Sequence, residues 1–207
     1  MAHPVDIDRI WREQFGITDG DDAVIESTYV DRWIRRDNIT EEEIRDSLSS
    51  LVLLKNQLAA DISQALTATE NTIPVVGKLQ FSGVNKVIVK GLKDFSIKTC
   101  GNICGSYERI AGIILGVKTF PEKDDLVWKN IPIEIKYAQR NVYGVNVPEK
   151  GVMIAFYNEN LKAGDGSVKY AIFGNEKQLT HYFSYVDDPN RRGHWKMNRH
   201  NGQLVFH

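Results

Sequence analysis

The chain has 207 residues, of which 42% are hydrophobic and 26% are charged, and its formal net charge at pH 7 is −1. This composition is typical of a soluble globular protein, and the length suits one large domain or a small helical part on a main domain. No apolar run approaches the ~20 residues of a membrane span. The N-terminus lacks the basic and hydrophobic regions of a signal peptide. We therefore expect a cytoplasmic protein that does not enter a membrane.

The charge is unevenly distributed along the chain. Residues 1–70 carry seven Lys and Arg against fifteen Asp and Glu, a net charge of −8. Residues 71–207 carry nineteen against twelve, a net charge of +7. Basic side chains that contact phosphates supply the sequence-independent part of nucleic-acid affinity, so the second part favours a nucleic-acid partner. The alternative is that the two parts neutralise each other within the fold or across a dimer.

The N-terminal part of the chain is predicted to be helical. Residues 5–15 repeat apolar side chains on one helical face, and a second helix is predicted after the turn at 19–22. The clearest helix covers residues 40–67, where Thr40 and Glu43 match a capping box. Its aliphatic residues recur every three or four positions, which predicts burial against other helices or, alternatively, a dimer interface. They are Ile44, Leu48, Leu51, Leu54, Leu58, Ile62 and Leu66.

After residue 70 the pattern changes to short strands. Residues 151–157 form an almost continuous apolar run, which is typical of a central strand buried on both faces. The other predicted elements are strands at 86–90, 95–98, 168–173 and 182–186, and a helix at 106–115 that begins with Ser106. We therefore predict an α/β (α+β) fold, with a helical N-terminal part at 1–70 and a central mixed β-sheet flanked by helices in 71–207.

A β-hairpin is predicted near the middle of the chain. Its strands, 126–128 and 131–137, are joined by Lys129 and Asn130, a two-residue turn between two apolar runs. Because side chains alternate between the two faces of a strand, the register decides which residues share a face. The apolar side chains all fall on one face, the natural core side: Leu126, Trp128, Ile131, Ile133, Ile135 and Tyr137.

The opposite face of the hairpin carries three charged side chains. The same register places Asp125 opposite Glu134, with Lys136 two residues further along the second strand. Two carboxylates at this separation can hold Mg²⁺, which polarises a phosphoryl oxygen and activates a bound water. A nearby lysine can orient that water or stabilise developing charge. The alternative is a surface ion pair without a catalytic role.

Asp125 and the sequence Glu134-Ile-Lys136 resemble the motif of the PD-(D/E)xK nucleases, most simply a type II restriction endonuclease. The resemblance covers residues 106–158, and it includes Glu108 on the preceding helix. It implies that Asp125 and Glu134 bind Mg²⁺, that Lys136 assists the nucleophilic water, and that Glu108 contributes to catalysis. The implied activity is Mg²⁺-dependent hydrolysis of double-stranded DNA at a specific site.

The first metal ligand departs from the plain family pattern. Asp124 adjoins Asp125, and Pro121 is followed by Glu122. The hairpin register favours Asp125, because Asp124 and Glu122 fall on the face assigned to the core. A shift of one residue in the register would reverse this choice.

A basic C-terminal segment is the predicted DNA-contacting region. Residues 189–207 contain four Lys and Arg and no Asp or Glu, interleaved with aromatic and amide side chains. Such residues suit contacts to phosphates and base edges, with a solvated basic tail as the alternative. The predicted DNA-binding residues, including two that directly follow the hairpin, are Gln139, Arg140, Arg191, Arg192, His194, Lys196, Asn198 and Arg199.

The implied activity predicts a dimer, and the function has two alternatives. An enzyme that cuts a palindrome would be a two-fold homodimer, and the helix at 40–67 is a candidate interface. One alternative function is a nucleic-acid-binding or regulatory protein on a nuclease-like scaffold, without catalysis. The other is an unrelated structural or phage-type protein in which the hairpin acids form a surface pair. Cys100 and Cys104 form a lone Cys-x3-Cys pair, which is weak evidence for zinc and is better explained as two reduced thiols.

Overall fold

The structure is a computed structural model. It describes residues 6–18, 38–69, 73–86, 88–89, 103–117, 125–138, 142, 144–158, 167–190, 192–197, 199–200 and 203–204. The helix predicted after residue 22, the strand predicted at 95–98, and both cysteine side chains lie outside what is described. Within the described ranges, no helix combines the length and the apolar character that crossing a membrane requires.

The first helix, α1, covers Ile7–Phe15, close to its predicted position. It begins after Asp6, whose side chain accepts a hydrogen bond from the backbone N–H of Arg9 at 3.0 Å. It ends at Gly16, whose φ of 64° is the left-handed conformation that favours glycine at a helix end. The predicted apolar face is buried: Ile7, Ile10, Trp11 and Phe15.

The long helix, α2, covers Glu41–Leu66 and has the predicted capping box. The Thr40 side chain accepts from the Glu43 N–H, and the Glu43 carboxylate accepts from the Thr40 N–H at 2.8 Å. Six of the seven predicted aliphatic residues are buried, whereas Leu66 is partly exposed. They pack within the chain, against residues of α1, of the sheet and of the helix that follows. The aliphatic face of α2 is therefore core, as the default interpretation predicted.

The sheet has five strands: β1 (Val75–Gln80), β2 (Leu126–Trp128), β3 (Ile131–Tyr137), β4 (Val152–Asn158) and β5 (Ser167–Phe173). Their order is β1-β5-β4-β3-β2. Strands β3 and β4 are parallel, and the other neighbouring pairs are antiparallel. The predicted mixed sheet is confirmed, and β4 is its central strand. The side chains of residues 152–157 are buried on both faces, which explains the continuous apolar sequence.

Two apolar layers enclose this sheet. Helices α1, α2 and α3 (Ile103–Leu115) cover one side, the helical face, where Ile133 and Ile135 of β3 join the main cluster. The other side is the C-terminal face. There Met153 and Phe173 pack with Leu179 of helix α4 (Glu176–Tyr182) and with Phe183, the first residue of the following strand. The sheet is thus the middle layer of three.

Two hairpins follow α4. Strand β6 (Phe183–Val186) pairs with β7 (His194–Met197), and β8 (Arg199–His200) pairs with β9 (Gln203–Leu204). The first of these hairpins is bonded to the segment after β3. The Trp195 N–H donates to the Val142 carbonyl at 2.8 Å, and the Val142 N–H donates to the Trp195 carbonyl at 2.9 Å.

Three sequence-based assignments were wrong in the described regions. Residues 86, 88 and 89 are helical rather than extended, and the Val89 N–H donates to the Asn85 carbonyl at 3.0 Å as in a helical turn. The strand in this part of the chain is β1, which was not predicted. Helix α3 begins at Ile103, so Ser106 does not precede its first turn. Tyr182 ends α4 rather than opening β6.

A polar network fixes α2 against β1 and β5. The fully buried Tyr170 donates its hydroxyl hydrogen to Asp61 and accepts a bond from Gln57 Nε2 at 2.9 Å. Gln57 also donates to the carbonyl of Lys78 at 3.0 Å. The Tyr170 ring crosses Gly77, where an added Cβ would lie 2.3 Å from the phenolic oxygen. Glycine is therefore required at this crossing of neighbouring strands.

Candidate functional site

The central hairpin folds as the sequence predicts. Its turn residues Lys129 and Asn130 have φ values of 48° and 63°, the left-handed pair that a type I′ turn requires. The β2–β3 ladder pairs Trp128 with Ile131 and Leu126 with Ile133. This register places Asp125 opposite Glu134 and assigns the charged residues to the face opposite the main core.

Glu134 and Lys136 form a close ion pair on β3. The Lys136 Nζ contacts the Glu134 Oε1, and their side chains are only 15% and 13% exposed, respectively. The ladder to β4 pairs Glu134 with Met153 and Lys136 with Ala155, both of which belong to the second apolar cluster. The two charges therefore lie at the margin of an apolar layer, where electrostatic interactions are less screened than in water.

Asp125 lies one residue before β2 and contacts the backbone of β3. Its Oδ2 accepts a hydrogen bond from the N–H of Ile135 at 2.6 Å. The carboxylate thus supplies the hydrogen-bond acceptor for the backbone N–H that lies between Glu134 and Lys136, beyond the end of β2. The structure therefore pairs Glu134 with Lys136 and bonds Asp125 to the residue between them, and it gives Asp125 a structural role that the sequence did not reveal.

Glu108, the fourth predicted catalytic residue, lies on the helix that covers the other face of the sheet. Its neighbour Tyr107 stacks on Tyr137 and on Phe156, with ring centroids 5.0 Å and 5.4 Å apart. Burial, and to a lesser degree Tyr137, raises the pKa of Tyr107 above its ordinary value. Within the ranges that the structure describes, no three His, Cys, Asp or Glu side chains are grouped to hold a metal ion. Glu108 therefore does not complete a three-carboxylate site with Asp125 and Glu134.

The chemistry of the remaining pair still fits Mg²⁺. Asp125 and Glu134 stand one position beyond Leu126 and Ile133, the last pair of the β2–β3 ladder. Mg²⁺ prefers oxygen ligands, keeps several waters and is usually held by one or two carboxylates together with substrate phosphates. Asp125 and Glu134 supply two such carboxylates, and Lys136 places a positive charge beside them.

The predicted DNA-binding residues fall into four groups. Arg192 and Lys196 are exposed on or beside the β6–β7 hairpin, where they can meet a ligand. His194 is 7% exposed and lies opposite Val186, so it is mainly a buried residue of the hairpin. Arg199 belongs to β8. The others lie outside the part of the chain that the structure describes: Gln139, Arg140, Arg191 and Asn198.

The sequence did not reveal that the C-terminal hairpin forms part of the layer over the site's face. Trp195 packs against the second cluster, and its bonds to Val142 join β7 to the segment that follows β3. The partners are more than fifty residues apart in the chain. The local signal, Tyr185 and Trp195 flanking a loop, was visible but did not indicate where the hairpin docks.

Comparison of the chain with protein-family models, curated proteins and solved structures gives no match.

Proposed function

We propose that this protein is a Mg²⁺-dependent endonuclease that hydrolyses DNA phosphodiester bonds. The observation that supports this proposal is the register of the central hairpin. Continued by one residue beyond its last pair, Leu126 and Ile133, this register sets Asp125 opposite Glu134, and Lys136 pairs with Glu134 on the partly buried face. These are the residue types and the arrangement that the resemblance to PD-(D/E)xK nucleases requires.

Each residue has a separate role in the proposed reaction. Asp125 and Glu134 would hold the ion, which when bound supplies Lewis-acid activation of a phosphoryl oxygen and of a water. The ammonium group of Lys136 is held beside Glu134 by the ion pair, and there it can orient the attacking water and stabilise negative charge on the phosphate. The apolar side chains Met153 and Ala155 limit the access of bulk water on the inner side.

Plasmid cleavage tests this proposal directly. Purified protein is incubated with supercoiled plasmid, with and without Mg²⁺, and the Glu134→Ala and Lys136→Ala variants are compared with the wild type. Each variant should lose cleavage while DNA binding, measured without the metal, remains within a few-fold of the wild type. Glu42→Ala and Lys86→Ala are matched controls, because both side chains are exposed and neither belongs to the hairpin. Cleavage by either hairpin variant at the wild-type rate would show that the site is wrong.

The pattern of products tests the finer proposal of a type II restriction enzyme. Discrete fragments indicate a specific double-stranded site, whereas a smear indicates a less specific nuclease.

A palindromic site also needs a two-fold dimer. Because the aliphatic face of α2 is buried within the chain, a dimer that uses this helix must use its outer side, where Leu53 is 69% exposed. Sedimentation of a monomer with full cutting activity would remove the dimer proposal.

A DNA-binding protein without catalysis is the second candidate function. It is favoured by the partners that both carboxylates already have, Lys136 for Glu134 and the Ile135 N–H for Asp125. Calorimetric titration with Mg²⁺ separates the two candidates. Binding of the ion that is lost in Glu134→Ala supports the nuclease, whereas DNA binding without ion binding and with intact plasmid supports this alternative.

A further inference from the structure

Strand β1 lies at one edge of the five-stranded sheet. It pairs with β5 on one side, and no other described strand pairs with it. The opposite edge of the sheet is β2, which has three residues, whereas β1 has six. An edge strand presents a row of N–H and C=O groups that can bind a further strand. β1 is therefore the longer of the two edges at which the sheet can be extended.

The hydrogen bonds within the sheet show which backbone groups of β1 point outward. The Ala138 N–H donates to the Phe156 carbonyl at 2.9 Å, so Phe156 directs its backbone groups toward β3. Phe156 thus does not bond to Tyr170, its partner on β5, and the Tyr170 groups point toward β1. Tyr170 in turn pairs with Gly77. Because these directions alternate along a strand, the residues on either side of Gly77 direct their N–H and C=O groups away from the sheet.

The outward row consists of Pro74, Val76, Lys78 and Gln80. Pro74 has no N–H to donate. The Lys78 carbonyl already accepts a hydrogen bond from Gln57 Nε2 at 3.0 Å, which agrees with its outward direction. No hydrogen bond between described residues uses the outward groups of Val76. One position of the row therefore lacks a donor, and another position does not need one.

A second copy of β1 complements this row. Antiparallel pairing about a two-fold axis at Val76 sets Val76 opposite its own copy and Lys78 opposite Pro74. The two Val76 residues then exchange both hydrogen bonds, and the Lys78 N–H donates to the Pro74 carbonyl of the other copy. The bond that Pro74 cannot donate is the one that the Lys78 carbonyl does not need, because Gln57 already supplies it.

Other two-fold registers of the same strand fit less well. An axis at Lys78 places two ammonium groups directly opposite each other, which is destabilising. An axis at Gly77 sets Pro74 opposite Gln80, whose carbonyl has no described donor in place of the missing N–H. With the axis at Val76, the two Lys78 residues are four positions apart along the strands. This is about 14 Å, beyond the screening length of about 8 Å at physiological ionic strength.

Exposed apolar side chains accompany this edge. Val76 is 41% exposed, and at an axis on this residue the two copies of its side chain cover each other. Ile73, just before the strand, is 63% exposed. Leu53 is 69% exposed and stands four residues before Gln57, so it lies on the face of α2 that reaches the β1 edge.

We propose that two copies of the chain form a homodimer through β1, paired antiparallel about Val76, so that their sheets join into one of ten strands. Open sheets of this size occur in natural proteins. The inference rests on the proposed function for the expectation of a two-fold dimer, and it names the surface through which that dimer forms.

Sedimentation equilibrium of the full chain tests the interface, and the wild type should be a dimer at micromolar concentrations. Val76→Pro removes the N–H at the axis from both copies and should raise the dissociation constant about tenfold or more. The fold tolerates this proline because the lost N–H points outward from an edge strand. Val76→Lys sets two ammonium groups opposite each other and should have the same effect. Gln80→Lys is the matched control on the same strand and should remain a dimer, and circular dichroism checks that each variant is folded.

Cysteine cross-linking tests the register, in a chain whose Cys100 and Cys104 are replaced by serine. Residues that exchange both hydrogen bonds in an antiparallel pair have Cα atoms about 5.5 Å apart, within the range of about 4.4–6.8 Å that a disulfide spans. Val76→Cys should therefore form a covalent dimer on oxidation. Gln80→Cys should not, because the two copies of residue 80 are eight positions apart along the strands, about 27 Å.

Each outcome bears on the interface separately from the cleavage assay. A wild type that sediments as a monomer, or a dimer that Val76→Pro and Val76→Lys leave unchanged, would overturn the β1 interface. Equal cross-linking at positions 76 and 80 would overturn the register. A monomer that cuts plasmid removes the dimer and keeps the nuclease, whereas a dimer with the predicted losses that cuts no DNA keeps the interface and loses only the nuclease.

Discussion

Asp125 has two roles, which a pair of substitutions can separate. Its Oδ2 accepts the Ile135 N–H at 2.6 Å, a structural role, and its negative charge is what the proposed Mg²⁺ site requires. Asp125→Asn keeps a side-chain oxygen at the same position but removes the charge. Asp125→Ala removes both the acceptor and the charge. The two variants therefore differ in stability but should agree in activity.

The expected changes in stability follow from the type of hydrogen bond. A bond to a charged group contributes about 1.5–3 kcal/mol, and a neutral one about 0.5–1.5 kcal/mol. We therefore expect Asp125→Ala to lower the free energy of unfolding by about 2 kcal/mol and Asp125→Asn by about 1 kcal/mol. For a chain of this length, 1 kcal/mol shifts the Tm by about 2–4 °C. The decreases in Tm should be about 4–8 °C for alanine and about 2–4 °C for asparagine.

Circular dichroism during heating measures the two Tm values, and plasmid cleavage with Mg²⁺ measures activity. Both variants should fail to cut, although Asp125→Asn remains folded at the assay temperature. Cutting by Asp125→Asn at the wild-type rate would refute the metal-binding role. Equal Tm values for the two variants would refute the stabilising role of the hydrogen bond to Ile135.

Three further predictions concern the scaffold. Gly77→Ala should lower the free energy of unfolding by about 1–3 kcal/mol, because the added Cβ overlaps the buried Tyr170 ring; an unchanged urea midpoint would contradict this packing. Thr40→Ala should cost about 1 kcal/mol through loss of the helix cap, whereas Thr40→Ser should keep most of it, and the same urea titration distinguishes them. Burial is the main cause that raises the pKa of Tyr107 and Tyr170 above 10.0. The resulting stability is fully present below pH 10 and is lost as the pH rises further, because the unfolded chain releases these protons first. Urea midpoints that do not fall above pH 10 would contradict this prediction.

The hairpin and the helix cap were predictable because their signals are local. Lys129 and Asn130 separate two apolar runs by two residues, and that spacing sets the register of every side chain in β2 and β3. The capping box of Thr40 and Glu43 is likewise contained within four residues. In both cases the backbone geometry follows from neighbouring residues, with no need for information about the rest of the fold.

The first strand and the helical turn after it were not predictable in the same way. Residues 86–90 are rich in valine and isoleucine, which favours a strand, but Asn85 donates its N–H to Ser47 Oγ at 3.0 Å and the chain turns there as a helix. In β1 only Leu79 is fully buried, and Gly77 interrupts the apolar pattern. Packing against α2 decides both structures, and such contacts leave no periodic signal in the sequence.

Local sequence patterns also could not predict how far the side chains of Glu134 and Lys136 are buried. Alternation along β3 correctly places Glu134 and Lys136 opposite the main core, and a surface ion pair was the alternative to a catalytic site. The face is instead partly covered by Leu179, Phe183 and Trp195, which are distant in sequence. Long-range contacts thus change the charged pair from a surface feature to a partly buried one.

The length of β2 explains why an aspartate stands at position 125. The ladder between β2 and β3 ends at Leu126 and Ile133, so the N–H of Ile135, which points to the same side as that of Ile133, has no β2 carbonyl opposite it. Asp125 supplies the missing acceptor from its side chain, and this bond brings its carboxylate to the edge of β3 between Glu134 and Lys136. A longer β2 would satisfy the same N–H from the backbone and would remove the reason for an acid here. The bond that supplies this acceptor also fixes the position of the Asp125 carboxylate that the proposed metal site needs, and for this reason the stability and the activity of Asp125 variants have to be measured together.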